Sequence, residues 1–242
     1  LGVMDTLEPA DYELDAFYEN LTSAFTTPDG EVMCVPKDVS TLATYYNEDL
    51  LADCGYTGDD IPDSYDKYMD FLKDVQSKLD AKYGKNQIAA MTYNQDLARN
   101  LYILQDGSTG LCDADGNATL DQEVVAKNLQ FILDMTDAGV WKTPSDLGTG
   151  WNGEAFGTGK CAIMEEGNWV YGTLKKDYSD IKFGVKGMPK YNGTQYSMAY
   201  TVGYGIYTSS ENKDMAPAWI KYVTSVDGLN IWCTGAGCLP PR

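Results

Sequence analysis

The feature that most constrains the fold is a regular alternation of helical and extended patterns along the chain. Apolar residues recur every three or four positions from Tyr65 to Leu79, and Gly84 follows as a stop signal, so this stretch predicts a helix. Residues 88–93 form a short, mainly apolar run directly after it, which is typical of a buried strand. Similar pairs of patterns continue to the C-terminus. The alternation predicts an α/β fold in which helices pack on a mixed or parallel sheet.

The less regular stretches lead to further expectations about local structure. Residues 9–25 carry apolar side chains near one face and predict a helix, and residues 97–105 predict another. Residues 113–117 are rich in Asp, Gly and Asn and predict a hairpin turn. Residues 197–207 are rich in Tyr and other strand-forming residues and predict one long strand.

Charge and hydropathy narrow the class of protein. The 242 residues include 18 Lys and Arg against 36 Asp and Glu, which gives a net charge of −18. Nucleic acids and anionic membrane surfaces select basic faces, so neither is an expected partner. The longest apolar runs, such as residues 161–164, are far shorter than the ~18 residues that a membrane-spanning helix requires. We therefore expect a soluble chain with no membrane insertion of its own.

Metal and cofactor sites have little support in the composition. The sequence has six cysteines, none of them in a C-x-x-C pair, and no histidine, which disfavours zinc and haem sites. We therefore expect no metal and no cofactor. Cys233 and Cys238 are close enough in sequence to form a disulfide, but small reduced thiols explain the same residues, and both states remain open.

No constellation of residues points to catalysis. Glu165 and Glu166 are adjacent, and neighbours on a strand point to opposite faces, so they cannot flank a glycosidic bond as two catalytic carboxylates must. The absence of histidine excludes a His-based triad, and no G-x-S-x-G motif occurs. Residues 201–205 match the potassium-channel filter sequence, but the chain lacks the membrane helices that such a filter needs. We therefore predict a chain without catalytic residues.

Several segments, in the order in which they occur, resemble one known family. They are residues 35–50, 61–68, 155–169, 187–190, 202–206 and 237–242, the last of which reads Gly-Cys-Leu-Pro-Pro-Arg. Their shared order is similar to that of the family-1 extracellular solute-binding proteins, the maltose-binding-protein-like sugar receptors of ABC importers. The chain departs from the family pattern at Tyr65, where Trp is usual, and at residues 202–204, where Gly-Gly-Trp is usual.

The resemblance implies a two-lobed, periplasmic-binding-protein-like fold of class II. It implies that residues 1–38 belong to the first lobe and that residues 39–42 form a hinge crossing. Residues 43–201 would then form the second (C-terminal) lobe, residues 202–206 a second hinge crossing, and residues 207–242 a return to the first lobe. It also implies that a complete first lobe includes chain before Leu1 and after Arg242. We therefore expect the 242 residues to be a fragment.

Two places in the second lobe supply candidate ligand contacts. A sugar site needs an aromatic plane to cover a C–H face and fixed polar groups to recognise hydroxyls. Trp169 follows a predicted strand at a turn into a helix, and the resemblance implies a sugar-stacking Trp there; the alternative is a Trp packed into the core. Asn94, Gln95 and Asp96 follow the strand predicted at 88–93, and the resemblance implies polar sugar contacts from this loop. The alternative is that Asn94 or Asp96 caps a helix.

The two crossings supply the other candidates. The candidate contacts there are Asp38, Ser40, Tyr200 and Tyr204, and strand packing is the alternative for the two tyrosines. The expected hinge residues are Val39, Leu42, Gly203 and Gly205. The resemblance implies that the lobes close over the ligand, which stabilises the closed state by contacting both lobes.

The resemblance also implies a place and a set of partners. We expect an extracellular, cell-surface or periplasmic receptor that captures a mono- or oligosaccharide and delivers it to ABC permease membrane subunits. A lipid anchor is expected on the missing N-terminal part. A receptor for a polyamine or another cation on the same scaffold is the alternative, since an acidic cleft suits a cation, and a carbohydrate-active enzyme comes third.

Overall fold

The computed structural model describes residues 3–94, 96–100, 115, 117–118 and 122–242. Contacts divide the chain into two units: unit 1 comprises Leu1–Thr41 and Ala199–Arg242, and unit 2 comprises Leu42–Met198. The chain therefore passes twice from one unit to the other. Which lobe of a complete receptor each segment belongs to stays a prediction.

The strands and helices have the following bounds. The strands are β1 (Val35–Pro36), β2 (Ser40–Asn47), β3 (Ala89–Thr92), β4 (Trp141–Lys142), β5 (Cys161–Gly167), β6 (Phe183–Lys186), β7 (Lys190–Tyr191), β8 (Thr194–Gln195), β9 (Ala199–Tyr200) and β10 (Gly203–Tyr204). The helices are α1 (Glu19–Thr22), α2 (Glu48–Asp53), α3 (Tyr68–Tyr83), α4 (Gln122–Asp137), α5 (Asn152–Gly157), α6 (Val170–Asp177), α7 (Ala216–Val223) and α8 (Val226–Ala236). Several 3-10 turns separate them.

Unit 2 is built on a mixed sheet with the strand order β4-β3-β5-β2-β6. Strand β3 pairs in parallel with both β4 and β5, whereas β2 pairs antiparallel with β5 and β6. Every residue of β3 is buried, as is most of β5, because the two strands lie in the interior of the sheet. The predicted α/β fold with a mixed sheet is therefore confirmed.

Helix α3 shows how the sequence pattern produces the packing. Its buried residues, Tyr68, Leu72, Val75 and Leu79, recur at the helical spacing that predicts an amphipathic helix. The Ser64 side chain accepts a hydrogen bond from the Asp66 amide and begins a 3-10 turn that leads into the helix. At the other end Gly84 has a φ of 99°, which an L-residue with a side chain rarely adopts. The predicted helix is confirmed, with its regular part beginning at Tyr68.

Unit 1 has its own core of buried residues. The core consists of Leu7, Tyr12, Leu14, Phe17, Val32, Val35, Ile206, Ile220 and Leu229. These residues come from both ends of the chain, and the antiparallel pair β1–β10 joins the two segments through Val35–Tyr204 and Pro36–Gly203. Unit 1 therefore depends on contacts between residues that lie about as far apart in sequence as the chain allows.

Two predictions of local structure are wrong. Residues 9–25 form short helical turns rather than one helix. Tyr12 and Leu14 are both buried, whereas in a single helix two residues that are two positions apart would point to opposite sides. Glu13, in the left-handed region with a φ of 52°, turns the chain between them. The long strand expected at 197–207 is divided into β9 and β10, because β9 pairs with the start of β2 and β10 pairs with β1.

Two other expectations fall on residues that the structure describes only in part. The helix expected at 97–105 begins as a 3-10 turn at Leu97–Asn100, and its remainder lies outside the described residues. Most of the hairpin turn expected at 113–117 also lies outside them. Within the described part of the chain, no helix combines the length and apolarity needed to cross a membrane.

The described cysteines are all free thiols, and Cys112 lies outside the described residues. Cys54 and Cys161 are buried, whereas Cys34, Cys233 and Cys238 are partly exposed. Of the two states left open for Cys233 and Cys238, the structure contains the reduced one.

Candidate ligand-binding site

Polar side chains gather in unit 2 where two neighbouring parallel strands end. Strand β3 is followed by Tyr93 and Asn94, and Glu165 and Glu166 lie near the end of β5, which ends at Gly167. Because β3 and β5 are parallel neighbours, their carboxyl ends lie at the same edge of the sheet. This edge is where α/β proteins commonly bind small ligands.

Glu166 is the most deeply buried charge at this edge, with 1% of its surface exposed. Its carboxylate forms an ion pair with Arg99 and accepts hydrogen bonds from the Gly167 amide at 2.9 Å and from Asn152 Nδ2 at 3.4 Å. Asn152 is itself buried, and its Oδ1 accepts a bond from Thr92 Oγ1 at 3.1 Å. A buried carboxylate needs such partners, so this network fixes the position of the Arg99 guanidinium.

Trp169 lies beside the same arginine. The Arg99 guanidinium carbon is 4.9 Å from the centre of the indole ring, within the range of a cation–π interaction. The ring also lies close over Gly167, where a Cβ atom would be 2.2 Å from it. Trp169 is half-buried against the core of unit 2 and directly precedes α6. Trp169 therefore packs partly against the core and also lies beside Arg99 at the strand end, and its stacking on a sugar stays a prediction.

The loop after β3 is held mainly by its own hydrogen bonds. Asn94 Oδ1 accepts a bond from the Asp96 amide at 2.7 Å, and Asn100 Nδ2 donates to the backbone carbonyls of Asn94 and Asp96, both at 3.1 Å. The alternative in which Asn94 shapes the start of a helical turn therefore has a direct structural basis. Gln95 lies outside the described residues.

A small cavity marks the place where these groups meet. Its volume is about 20 Å³, enough for about one water molecule. The residues lining it are Leu42, Tyr93, Asn94, Arg99, Asn100 and Glu165. Glu165 also accepts a hydrogen bond from the Tyr65 hydroxyl at 2.5 Å. Because neighbouring residues of a strand point to opposite faces, Glu165 and Glu166 are held on opposite sides of β5.

The two carboxylates affect the tyrosines packed beneath them. Burial, with the negative charge of Glu166 as a second cause, raises the pKa of Tyr45 to about 12. Burial likewise raises the pKa of Tyr68 well above its ordinary value, and Glu165 contributes to that rise. Among the described residues, Glu165 and Arg99 line this cavity, and Glu166 is the ion-pair partner of Arg99.

The candidate contacts of the two crossings belong to unit 1. Asp38 is buried, lies 3.2 Å from Lys37 Nζ, and its backbone carbonyl accepts a bond from Thr201 Oγ1 at 2.8 Å. Ser40 pairs with Tyr200 across β2 and β9. The ring of Tyr204 packs edge-on against that of Trp219 at 5.0 Å. Tyr200 therefore lies in a strand pair and Tyr204 packs against a helix residue, and a ligand contact of either tyrosine stays a prediction.

The expected hinge residues are closely packed. The Val39 amide donates to the Leu239 carbonyl at 3.1 Å, and Leu42 exchanges backbone hydrogen bonds with the Ser197 hydroxyl. A Cβ atom on Gly203 would lie 2.6 Å from Cys34 Cβ, and one on Gly205 would lie 2.8 Å from the Met33 carbonyl oxygen. Close approach of neighbouring atoms therefore explains both glycines in this structure.

Sequence reasoning missed Arg99, Asn152 and Tyr65 as parts of this site. Arg99 stands in a stretch whose pattern indicates only a helix, and its partner Glu166 is 67 residues away. No local signal marks a residue whose role depends on so distant a neighbour.

The chain is similar to known solute-binding proteins in its sequence. The model of the bacterial extracellular solute-binding protein family matches residues 1–242. The sn-glycerol-3-phosphate-binding periplasmic protein UgpB of Rhizobium meliloti is 22% identical over 185 residues, which is 75% of this chain and 42% of that protein. The xylose/arabinose-binding protein XacG of Haloferax volcanii is 23% identical over 201 residues, 82% of this chain and 43% of that protein. The chain thus spans less than half the length of these curated relatives.

Solved structures show the same fold over the whole chain. The maltose-bound MalE3 of T. maritima has a TM-score of 0.80 and 23% identity, and the match covers 100% of this chain and 63% of that one. The GacH receptor of Streptomyces glaucescens has a TM-score of 0.80 and 25% identity, and the match covers 100% of this chain and 61% of the receptor chain. The Listeria monocytogenes protein Lmo0181, in complex with cycloalternan, has a TM-score of 0.84 and 18% identity, with 100% and 62% covered. These matches confirm the expected periplasmic-binding-protein-like fold.

Proposed function

Because the chain belongs to the family of bacterial extracellular solute-binding proteins, we propose that it is the ligand-capturing part of an importer receptor and that its ligand is a carbohydrate. Proteins of this family bind a solute, and the proposal accordingly assigns capture rather than catalysis to this chain. A transport role adds delivery of the ligand to the membrane subunits of an ABC permease.

The observation that carries the carbohydrate proposal is the arrangement of Trp169, Arg99 and Glu165 at the ends of β3 and β5. A sugar presents apolar C–H faces and a ring of hydroxyls, each of which both donates and accepts hydrogen bonds. An indole ring provides an apolar surface, a carboxylate accepts from hydroxyls, and a guanidinium donates to them. The network around Glu166 holds the guanidinium in place before a ligand arrives, which reduces the entropy cost of binding.

The charges at the same edge favour a neutral ligand over a phosphate. The UgpB relatives are named for sn-glycerol-3-phosphate and the XacG relative for xylose and arabinose. The positive charge of Arg99 is already paired with the buried Glu166, and Glu165 adds a further negative charge to the cavity wall. An anion would meet net repulsion there, so the sugar relatives are the better guide to the chemistry of this site.

A cationic ligand is the second candidate, and the same excess of carboxylates favours it. The net charge of −18 would attract a polyamine over long range at low ionic strength. Arg99, fixed at the centre of the cluster, argues against it, because a cation would have to approach a guanidinium.

The remaining parts of the proposal come from the family. The receptor would act outside the cytoplasm and would close on its ligand by movement at the crossings. The proposed hinge residues are Val39, Leu42, Gly203 and Gly205, and the proposed further contacts are Asn94, Gln95, Asp96, Asp38, Ser40, Tyr200 and Tyr204. The chain passes between its two units between Thr41 and Leu42 and between Met198 and Ala199. The first passage supports a crossing at residues 39–42, whereas Gly203 and Gly205 lie inside unit 1, after the second passage.

A ligand panel followed by thermal unfolding tests the function. The panel contains pentoses, maltooligosaccharides, sn-glycerol-3-phosphate and spermidine, each at a range of concentrations. A ligand at about 100 times its dissociation constant adds about 2.7 kcal/mol to the free energy of unfolding. We expect a sugar to raise the melting temperature. A rise with spermidine or with glycerol phosphate, and none with any sugar, would overturn the carbohydrate proposal.

Calorimetric titration of two variants with the best sugar tests the site. We expect Trp169→Ala to weaken binding at least tenfold, because it removes the apolar plane and a contact of Arg99. Trp151→Ala is the matched control, because Trp151 also directly precedes a helix and also packs over a nearby glycine, Gly153. Equal affinities of the two variants would remove Trp169 from the site.

A further inference from the structure

The C-terminal end of α8 has the geometry of a Schellman motif. Gly237 adopts the left-handed conformation with a φ of 68°, and its amide donates to the Cys233 carbonyl at 2.9 Å. The Cys238 amide donates to the same carbonyl at 3.2 Å. This second bond, from the residue after the left-handed glycine back to the residue five positions earlier, defines the motif.

The motif places two particular side chains against each other. In a Schellman motif, the bond just described joins the amide of the residue after the left-handed glycine to a carbonyl five positions earlier. The side chains of these two residues commonly contact each other, and the contact is usually apolar. Here both positions are cysteines, Cys233 and Cys238, and burial, with the neighbouring Cys233 thiol as a second cause, raises the pKa of Cys238 to about 12. The contact is thus imposed by the backbone rather than by the chance proximity of two thiols.

Accessibility separates this pair from Cys54 and Cys161. Cys54 and Cys161 are 4% and 0% exposed, so reagents in solution do not reach them in the folded chain. Cys233 and Cys238 are both partly exposed and lie next to each other. Cys34 is also partly exposed but packs against the backbone of Gly203.

We propose that Cys233 and Cys238 are a modification site at which a low-molecular-weight disulfide, such as oxidised glutathione, forms an intrachain disulfide bond that closes the end of α8. The family acts outside the cytoplasm, where protein disulfides form and persist. The described structure is the reduced state of this site.

The reaction proceeds by two thiol–disulfide exchanges. One cysteine thiolate attacks a sulfur of oxidised glutathione, which forms a mixed disulfide and releases one glutathione thiolate. The thiolate of the other cysteine then attacks the protein sulfur of the mixed disulfide and releases the second glutathione. The two cysteines lose two electrons and two protons in total, and the two glutathione molecules take them up.

The position of the bond gives it a structural effect. Helix α8 has eleven residues, of which only Gly228 and Leu229 are buried. The residue after the pair, Leu239, accepts a backbone hydrogen bond from Val39. A covalent link between Cys233 and Cys238 would therefore restrain a weakly anchored helix end directly beside that backbone pairing, and we expect the oxidised chain to unfold at a higher temperature than the reduced chain.

Peptide mapping of the intact, folded chain tests the proposal. The chain is incubated with reduced and oxidised glutathione in varied ratios, quenched with an alkylating agent and digested with trypsin. Cleavage after Lys221 yields residues 222–242, a single peptide that contains Cys233 and Cys238 and no other cysteine. The proposal predicts that this peptide loses about 2 Da and takes up no alkyl group, as expected for an internal disulfide.

Three variants make the result specific. Cys34→Ser retains the pair and is expected to form the same oxidised peptide, whereas Cys233→Ser and Cys238→Ser are expected to give only a glutathione adduct on the remaining cysteine. Circular dichroism of each variant establishes that it is folded before oxidation. Two glutathione adducts on the wild-type peptide, or a disulfide that joins Cys34 to either cysteine, would overturn the proposal. The proposal would also be overturned if the wild-type peptide were fully alkylated at a ratio of reduced to oxidised glutathione that glutathionylates the single-cysteine variants.

Discussion

Glu166 illustrates how a single buried charge organises its surroundings. It is 1% exposed and has three kinds of partner: the Arg99 guanidinium, the Asn152 amide and the amide of Gly167. Because both the ion pair and the hydrogen bonds are needed to offset desolvation, the carboxylate orders the side chains around it. At this scale the candidate site is a set of positions that one carboxylate holds in place.

Replacement of Glu166 by Gln tests this role. The variant keeps the shape of the side chain but removes the charge of Glu166 from its ion pair with Arg99, and we expect it to lose about 2 kcal/mol of the free energy of unfolding. Urea denaturation measures the loss. Glu211→Gln is the control, because Glu211 is exposed and its replacement should change the free energy by less than about 0.5 kcal/mol. Equal stabilities of the two variants would show that the buried pair does not contribute.

At the scale of elements, the segment after unit 2 shows how packing overrides a local pattern. Residues 197–207 look like one strand, but β9 and β10 pair with different partners. Gly203 and Gly205 permit the second pairing, because larger residues there would collide with the segment that contains Met33 and Cys34. The glycines are thus explained by the contacts of their strand with a segment about 170 residues earlier in the chain.

Gly205→Ala tests this explanation. The added Cβ would lie 1.9 Å from Met4 Cε and 2.8 Å from the Met33 carbonyl oxygen, so the strand must shift. We expect a loss of about 1–3 kcal/mol of stability, measured by thermal unfolding. Gly235→Ala is the matched control, because a Cβ there meets nothing within 4 Å and alanine is preferred in a helix by up to about 1 kcal/mol. Equal losses in both variants would contradict the explanation.

At the scale of the whole molecule, the acidic surface makes stability depend on pH. Hydrogen bonds hold the pKa values of several aspartates below the ordinary 3.8; these residues are Asp53, Asp60, Asp74 and Asp146. A carboxyl group whose pKa is lower in the folded chain than in the unfolded chain binds protons preferentially when unfolded. Its stabilising contribution is therefore complete above pH 4 and is lost as the pH falls through the folded value.

We accordingly expect the free energy of unfolding to decrease below about pH 4. Urea denaturation at a series of pH values measures it, and the double variant Asp74→Asn with Asp146→Asn should show a shallower decrease. At the alkaline side the buried Tyr45, whose pKa is raised to about 12, should cause stability to decrease from about pH 10 upward. If the free energy of unfolding decreased equally steeply below pH 4 in the wild type and in the double variant, Asp74 and Asp146 would not be a source of the acid sensitivity.

The sequence predicted much of the fold but only part of the candidate site. The helix that contains Leu72 and Leu79 and the strand at Ala89–Thr92 follow from patterns of a few neighbouring residues, which the structure confirms. The family resemblance also implied Trp169 and Asn94 as candidates, and both lie near the ends of β3 and β5 in the structure. Arg99 was not indicated, because its significance depends on a residue in another strand.

By itself, the sequence determined the local conformations and their class. Helical and extended periodicities encode which side chains can be buried together within about ten residues, and their alternation requires layered α/β packing. Only the tertiary structure decided which distant residues meet. The parallel register of β3 and β5, with Thr92 opposite Met164, brings Arg99 to Glu166, and the Schellman turn at Gly237 brings Cys233 to Cys238. Such encounters depend on strand register and chain reversal, which no local periodicity specifies.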